Sequence, residues 1–130
     1  MRPRKNNADY FSHDSGMRND EKILSIRNKY NNNGYAVFCM LLEILTNKDE
    51  FKIELKSDIQ WELLAGDLRV SESEIKDMIS FCVRIDLLQE NNGVFYSKNL
   101  IKRLQPVIDK REEMRCKYMK KVVSASENKV

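Results

Sequence analysis

A chain of 130 residues is long enough for one domain with its own core and an appendage, and its 42% apolar and 33% charged residues place it with soluble, helix-rich proteins. A net charge of +3 is too small to imply nucleic acid by itself, and no window of about 18 apolar residues exists that would span a membrane. Met1-Arg2-Pro3-Arg4-Lys5 leads into Asn and Asp, not into the apolar run of a signal peptide, and the three cysteines include no CxxC pair, so reduced thiols in a cytoplasmic protein are expected.

Residues 1–18 read as a polar N-terminal arm whose Tyr10-Phe11 pair docks on the core. Asn19 or Asp20 caps a first helix to about Tyr30, with Ile23, Ile26 and Tyr30 on one side, and Asn31-Asn32-Asn33-Gly34 breaks it. A second helix, from about Tyr35 to Asn47, carries Val37, Phe38, Leu41, Leu42, Ile44 and Leu45 over more than one stripe, as a central helix does. Cys39 falls inside this pattern and Cys82 inside a later one, both as small core residues. Phe51-Lys52-Ile53-Glu54-Leu55 alternates at period two and predicts a short half-buried strand.

Ser57 caps a third helix carrying Ile59, Leu63 and Leu64, with Ala65 and Gly66 small enough for a close helix crossing, and Trp61 packing between helices. Ser71 and Glu74 form a capping box for a fourth helix. That helix buries Ile75, Met78, Ile79 and Cys82 and turns Ser73, Lys76, Asp77, Ser80 and Arg84 outward. Leu87–Glu90 and Val94–Ser97 flank Asn92-Gly93, whose positive φ angles suit a two-residue hairpin turn. From Lys98 a basic helix continues to about residue 123, with Leu100, Leu104, Val107, Met114 and Tyr118 in a stripe, a kink or break near Gln105 imposed by Pro106, and a frayed tail at 124–130. The predicted fold is mainly α with a small β-hairpin: a winged helix-turn-helix over 19–97, preceded by an extra helix and followed by the basic C-terminal helix.

Charge is unevenly placed. From Ser57 to Glu90 eight acids stand against three bases, and Glu72, Glu74 and Asp77 lie on the helix that would enter a major groove, where Lys76, Ser80 and Arg84 would have to face DNA. Carboxylates in a first helical turn are equally explained by the helix dipole, which they complement by roughly 0.3–1 kcal/mol each. From Lys98 to Lys121 nine bases stand against three acids, a net +6. Lys98, Lys102, Arg103, Lys110, Arg111, Arg115 and Lys117 of that run, with Arg2, Arg4 and Lys5 of the arm, are the candidate DNA-contacting residues, joined by Lys76 and Arg84. Each phosphate neutralised steepens the log–log salt dependence of duplex binding by about 0.9. His13, flanked by Asp9 and Asp14, lacks the convergent partners of a metal or catalytic site and reads as an anchor for the arm. No Gly-rich phosphate loop, GxSxG, HExxH or DFG-like motif is present, so neither catalysis nor a cofactor, metal or small-molecule substrate is expected.

Arg2-Pro3-Arg4-Lys5, Asp9-Tyr10-Phe11-Ser12-His13-Asp14, and Gly34-Tyr35-Ala36-Val37 running into Leu41-Leu42-Glu43 resemble the winged-helix N-terminal domain of phage and prophage replication-initiation proteins of the DnaD-like, replisome-organiser type. The resemblance covers most of residues 2–115. It implies a non-enzymatic role in starting DNA replication, through mostly non-specific DNA contact, self-association and contact with a replication protein such as a helicase loader. Two other readings stand beside it: an oligomerisation or adaptor domain that uses the acidic face, and a transcriptional regulator that reads sequence through the fourth helix.

Overall fold

The structure, a computed structural model, describes residues 6–127, with side chains described as far as residue 123. In chain order it comprises α1 (Glu21–Asn47), β1 (Lys52–Glu54), α2 (Asp58–Leu68), α3 (Glu72–Arg84), β2 (Gln89–Asn91), β3 (Val94–Tyr96) and α4 (Lys98–Glu127), with short 3-10 turns at Met17–Asn19 and Asp49–Phe51. It is a mainly helical fold with one small antiparallel sheet in the order β1-β3-β2.

Asp20 caps α1, its side chain accepting from the Lys22 and Ile23 amides. The two expected helices are the two segments of α1, which meet at a kink at Asn31, where φ of 62° and ψ of −160° leave the helical region. Gly34 is not the breaker. It lies buried inside the second segment, and a Cβ there would stand 2.6 Å from the Tyr30 Cβ and 2.9 Å from the Ile26 Cγ2, so glycine is what lets the two segments pack this closely. The second segment buries Val37, Phe38, Leu41, Leu42 and Leu45 and forms the centre of the molecule, as its broad apolar coverage predicted.

The strand alternation also holds: Phe51 and Leu55 are buried and Lys52 and Glu54 exposed. β1 pairs with β3, Ile53 opposite Phe95, and β3 pairs with β2 across the Asn92-Gly93 turn, where φ is 52° and 81°. Ser57 makes a full capping box with Gln60. Ser71 accepts from the Glu74 amide, which is the N-cap half of the expected capping box and not the full box formed at Ser57.

Packing chooses one helix face that the sequence left open and overturns three expectations. Ile59 and Leu63 are exposed, because α2 meets the core through Leu64, Ala65 and Leu68 on another of its faces. Gly66 makes no close crossing: nothing lies within 4 Å of where its Cβ would be. Trp61 packs edge-on against Phe95 of β3, with ring centroids 5.8 Å apart, and not between helices. Of the Tyr10-Phe11 pair only Phe11 docks, and Tyr10 is exposed.

α4 runs uninterrupted through Pro106 and on to Glu127, so the break near Gln105 is not found; residues 124–127 of the expected frayed tail are helical, and 128–130 lie outside the described residues. An interior proline costs about 3 kcal/mol. Leu100 and Leu104 before it and Ile108 after it are all buried, and at roughly 1.5–3 kcal/mol each their burial outweighs that cost. Val107, Met114 and Tyr118 of the predicted stripe are exposed instead. Among the described residues no helix is long and apolar enough to cross a membrane.

Candidate nucleic-acid interface

α4 is preceded by Ser97, a buried residue whose Oγ accepts from the Leu100 amide at 3.2 Å, while the Gln89 side chain accepts from the Lys98 amide at 2.6 Å. Leu100, Leu104 and Ile108, four residues apart, then hold one side of the helix against the core. At 3.6 residues per turn the opposite side carries Lys102, Arg103, Lys110, Lys117, Lys120 and Lys121. All six are exposed, and from Lys102 to Lys121 they span about 29 Å of helix. Lys117 is paired with Glu113 at 3.1 Å. The other five have no ion pair among the described residues. Lys120 and Lys121 complete a stripe whose face only the buried positions define.

Two of the remaining predicted bases of α4, Lys98 and Arg111, serve the fold. Lys98 binds Asp86 at 2.8 Å, and Asp86 also accepts from Gln89 and lies 3.7 Å from Lys22. The hydrogen bond from Lys98, then that from Gln89, holds the Asp86 carboxyl below the usual carboxylate range. This junction ties the α3–β2 turn to the starts of α1 and α4. Arg111 is half-buried and donates to the Asn7 carbonyl. The same segment of arm is held by Ala8 N–H donating to Thr46 O at 3.0 Å and Glu50 N–H donating to Asn6 O at 3.0 Å. Arg115 is half-buried one turn beyond Arg111. Arg2, Arg4 and Lys5 lie outside the described residues.

On α3, Ser73, Lys76, Asp77, Ser80 and Arg84 are all exposed, as the periodicity predicted. The Lys76 ammonium sits 5.8 Å from the Trp61 ring and the Arg84 guanidinium 5.4 Å from the Phe81 ring. Lys29 of α1 lies over the same Phe81 ring at 4.5 Å, a pairing that sequence reasoning missed because the two residues are remote in the chain. Tyr30 donates its hydroxyl to Asp77, and burial followed by this bond raises the tyrosine pKa. At the hairpin tip Asn91 and Asn92 are exposed and the Gly93 amide donates to Glu90 at 2.9 Å. A Cβ on Gly93 would stand 2.6 Å from the Lys56 Cγ, so the stem of Lys56 runs close beneath the turn.

His13 shares a 2.9 Å hydrogen bond with the Tyr35 hydroxyl, which fastens the arm to α1 as expected. Between arm, α1 and the start of α4 lies a cleft of about 290 Å³ with an apolar floor of Ile23, Phe38, Leu42 and Leu100, and Arg103 at its rim. Among the described residues no cluster of His, Cys, Asp or Glu comes together in a form that would hold a metal ion.

A family model described as Lin1244/Lin1753-like, N-terminal, matches residues 10–100, which takes in α1 to α3, the sheet and the first residues of α4. No curated protein and no solved structure gives a significant match.

Proposed function

The chain belongs to the Lin1244/Lin1753-like N-terminal family, and we propose that it is a non-enzymatic, cytoplasmic DNA-replication initiation module of phage or prophage type that contacts the DNA backbone. Three things support this reading. The succession β1-α2-α3-β2-β3, with β1 paired to β3, is compatible with a winged helix. The arm and α1 carry the residues that resemble DnaD-like replication proteins. The observation that carries the reading is the outward stripe of α4, five exposed bases without an ion-pair partner among the described residues.

In this reading Lys102, Arg103, Lys110, Lys120 and Lys121 contact phosphates and release counterions. They carry no sequence information, because phosphate contacts position a protein without reading bases. α3 is disfavoured as a reader by Glu72, Glu74 and Asp77. Binding to several unrelated duplexes at a series of salt concentrations tests the proposal. Similar affinities that fall steeply with salt are expected. Salt-insensitive or absent binding rejects the proposal, and strong discrimination among duplexes would move the reading to a transcriptional regulator using Lys76 and Arg84. A second reading, a protein-docking role for the acidic face, is favoured by the exposure of Ile59 and Leu63 on α2.

A further inference from the structure

Two surfaces are left unused by the fold. On α2, Ile59 and Leu63 are 68% and 70% exposed one turn apart. Gly66 continues their row, with no heavy atom within 4 Å of where a Cβ would stand. Glycine weakens a helix relative to alanine, and no packing among the described residues requires one here. A bare glycine beside two large apolar side chains is a notch that admits the backbone of another helix. Asp58, Glu62 and Asp67 flank the row, all exposed, and α2 contains no basic residue. The face therefore fits a helix with an apolar stripe and basic flanks.

The C-terminal part of α4 is such a helix. Beyond Ile108, the last buried residue of those described in it, it continues over residues 109–127, roughly 28 Å. Met114, Tyr118 and Val122 are 58%, 62% and 45% exposed, and their spacing puts them on one side, with Lys110 and Lys121 along one edge.

We propose that α2 of one copy receives the C-terminal half of α4 from a second copy, and reciprocally, in a closed two-fold dimer. Met114 and Tyr118 pack on Ile59 and Leu63, α4 approaches closely at Gly66, and the lysines of its edge face Asp58 and Glu62, which share one flank of the row. Lys102 and Lys120 lie on the far side of α4 from this contact and stay open to phosphate. The inference rests on the docking reading of α2, and in the dimer Lys110 and Lys121 are withdrawn from the phosphate-contacting stripe.

Sedimentation equilibrium of the full chain tests it. The wild type is expected to dimerise. Leu63→Glu and Tyr118→Glu, both at exposed positions, should each weaken the dimer by at least about 30-fold. Mixing the two variants should restore a dimer, because the intact α2 of one meets the intact α4 of the other. Gly66→Leu separates interface from fold: it should raise the melting temperature by removing a helix glycine and still weaken the dimer. A strictly monomeric wild type overturns the second copy as occupant and leaves the docking reading of α2 standing for another basic partner. A dimer that survives Leu63→Glu, breaks with Tyr118→Glu and does not recover on mixing pairs through α4 alone, and removes α2 as a docking face.

Discussion

Replacing Lys102 and Lys120 with glutamine puts the phosphate-contact proposal on a numerical footing. Both side chains are exposed, lie on the outward side of α4 and have no ion pair among the described residues, so the fold should change by less than about 0.5 kcal/mol. If the five unpaired stripe bases each neutralise one phosphate, the slope of log affinity against log salt is about −4.5. Raising salt fourfold then weakens binding by about 500-fold, and with the slope reduced to about −2.7 in the double variant the same change weakens it by about 40-fold. Fluorescence anisotropy of a labelled duplex over a salt series measures both slopes. An unchanged slope would refute the stripe as the contact surface. A larger effect from Lys76→Gln with Arg84→Gln would move the contact to α3.

Other expectations concern the fold. In Gly34→Ala the gain in helix propensity, about 1 kcal/mol, competes with a Cβ placed 2.6 Å from the Tyr30 Cβ. That neighbour cannot swing away, so a net loss of about 1–2 kcal/mol is expected in urea unfolding, and unchanged stability would contradict the tight packing at Asn31. Native-state thiol labelling should reach the exposed Cys116 first and Cys82 only on unfolding, since burial pushes the Cys82 thiol up to about 12. Asp86 is more acidic in the folded chain than its ordinary 3.8, so its contribution is present above that value and is lost as pH falls through the folded pKa. The stability deficit of Asp86→Asn should therefore shrink between about pH 7 and pH 3, and a deficit that stays constant would show that the carboxylate charge is not what holds the junction.

The parts of this protein that were legible in its sequence are those governed by local chemistry. Ser57 and Ser71 cap where their hydroxyls can reach an amide three residues on. Asn92-Gly93 turns because those two residues accept positive φ. Ile75, Met78, Ile79 and Cys82 point inward together because a helix repeats every 3.6 residues. Where two faces of one helix were both apolar, local pattern did not choose between them: α2 buries Leu64 and Leu68 and leaves Ile59 and Leu63 outside. Pro106 does not break α4 for a related reason, since its local penalty is smaller than the burial of its neighbours along the helix.

The charge imbalance, acidic from Ser57 to Glu90 and basic from Lys98 to Lys121, is a property of the sequence alone, and it directed attention to α4 without any coordinates. Which of those bases face outward was decided only by tertiary structure. Lys98 is taken by Asp86, brought beside it by the hairpin, and Arg111 by the backbone of an arm some hundred residues earlier. Charge along a chain adds up whatever the fold, but a surface exists only once packing has selected which side of each helix is withdrawn from water.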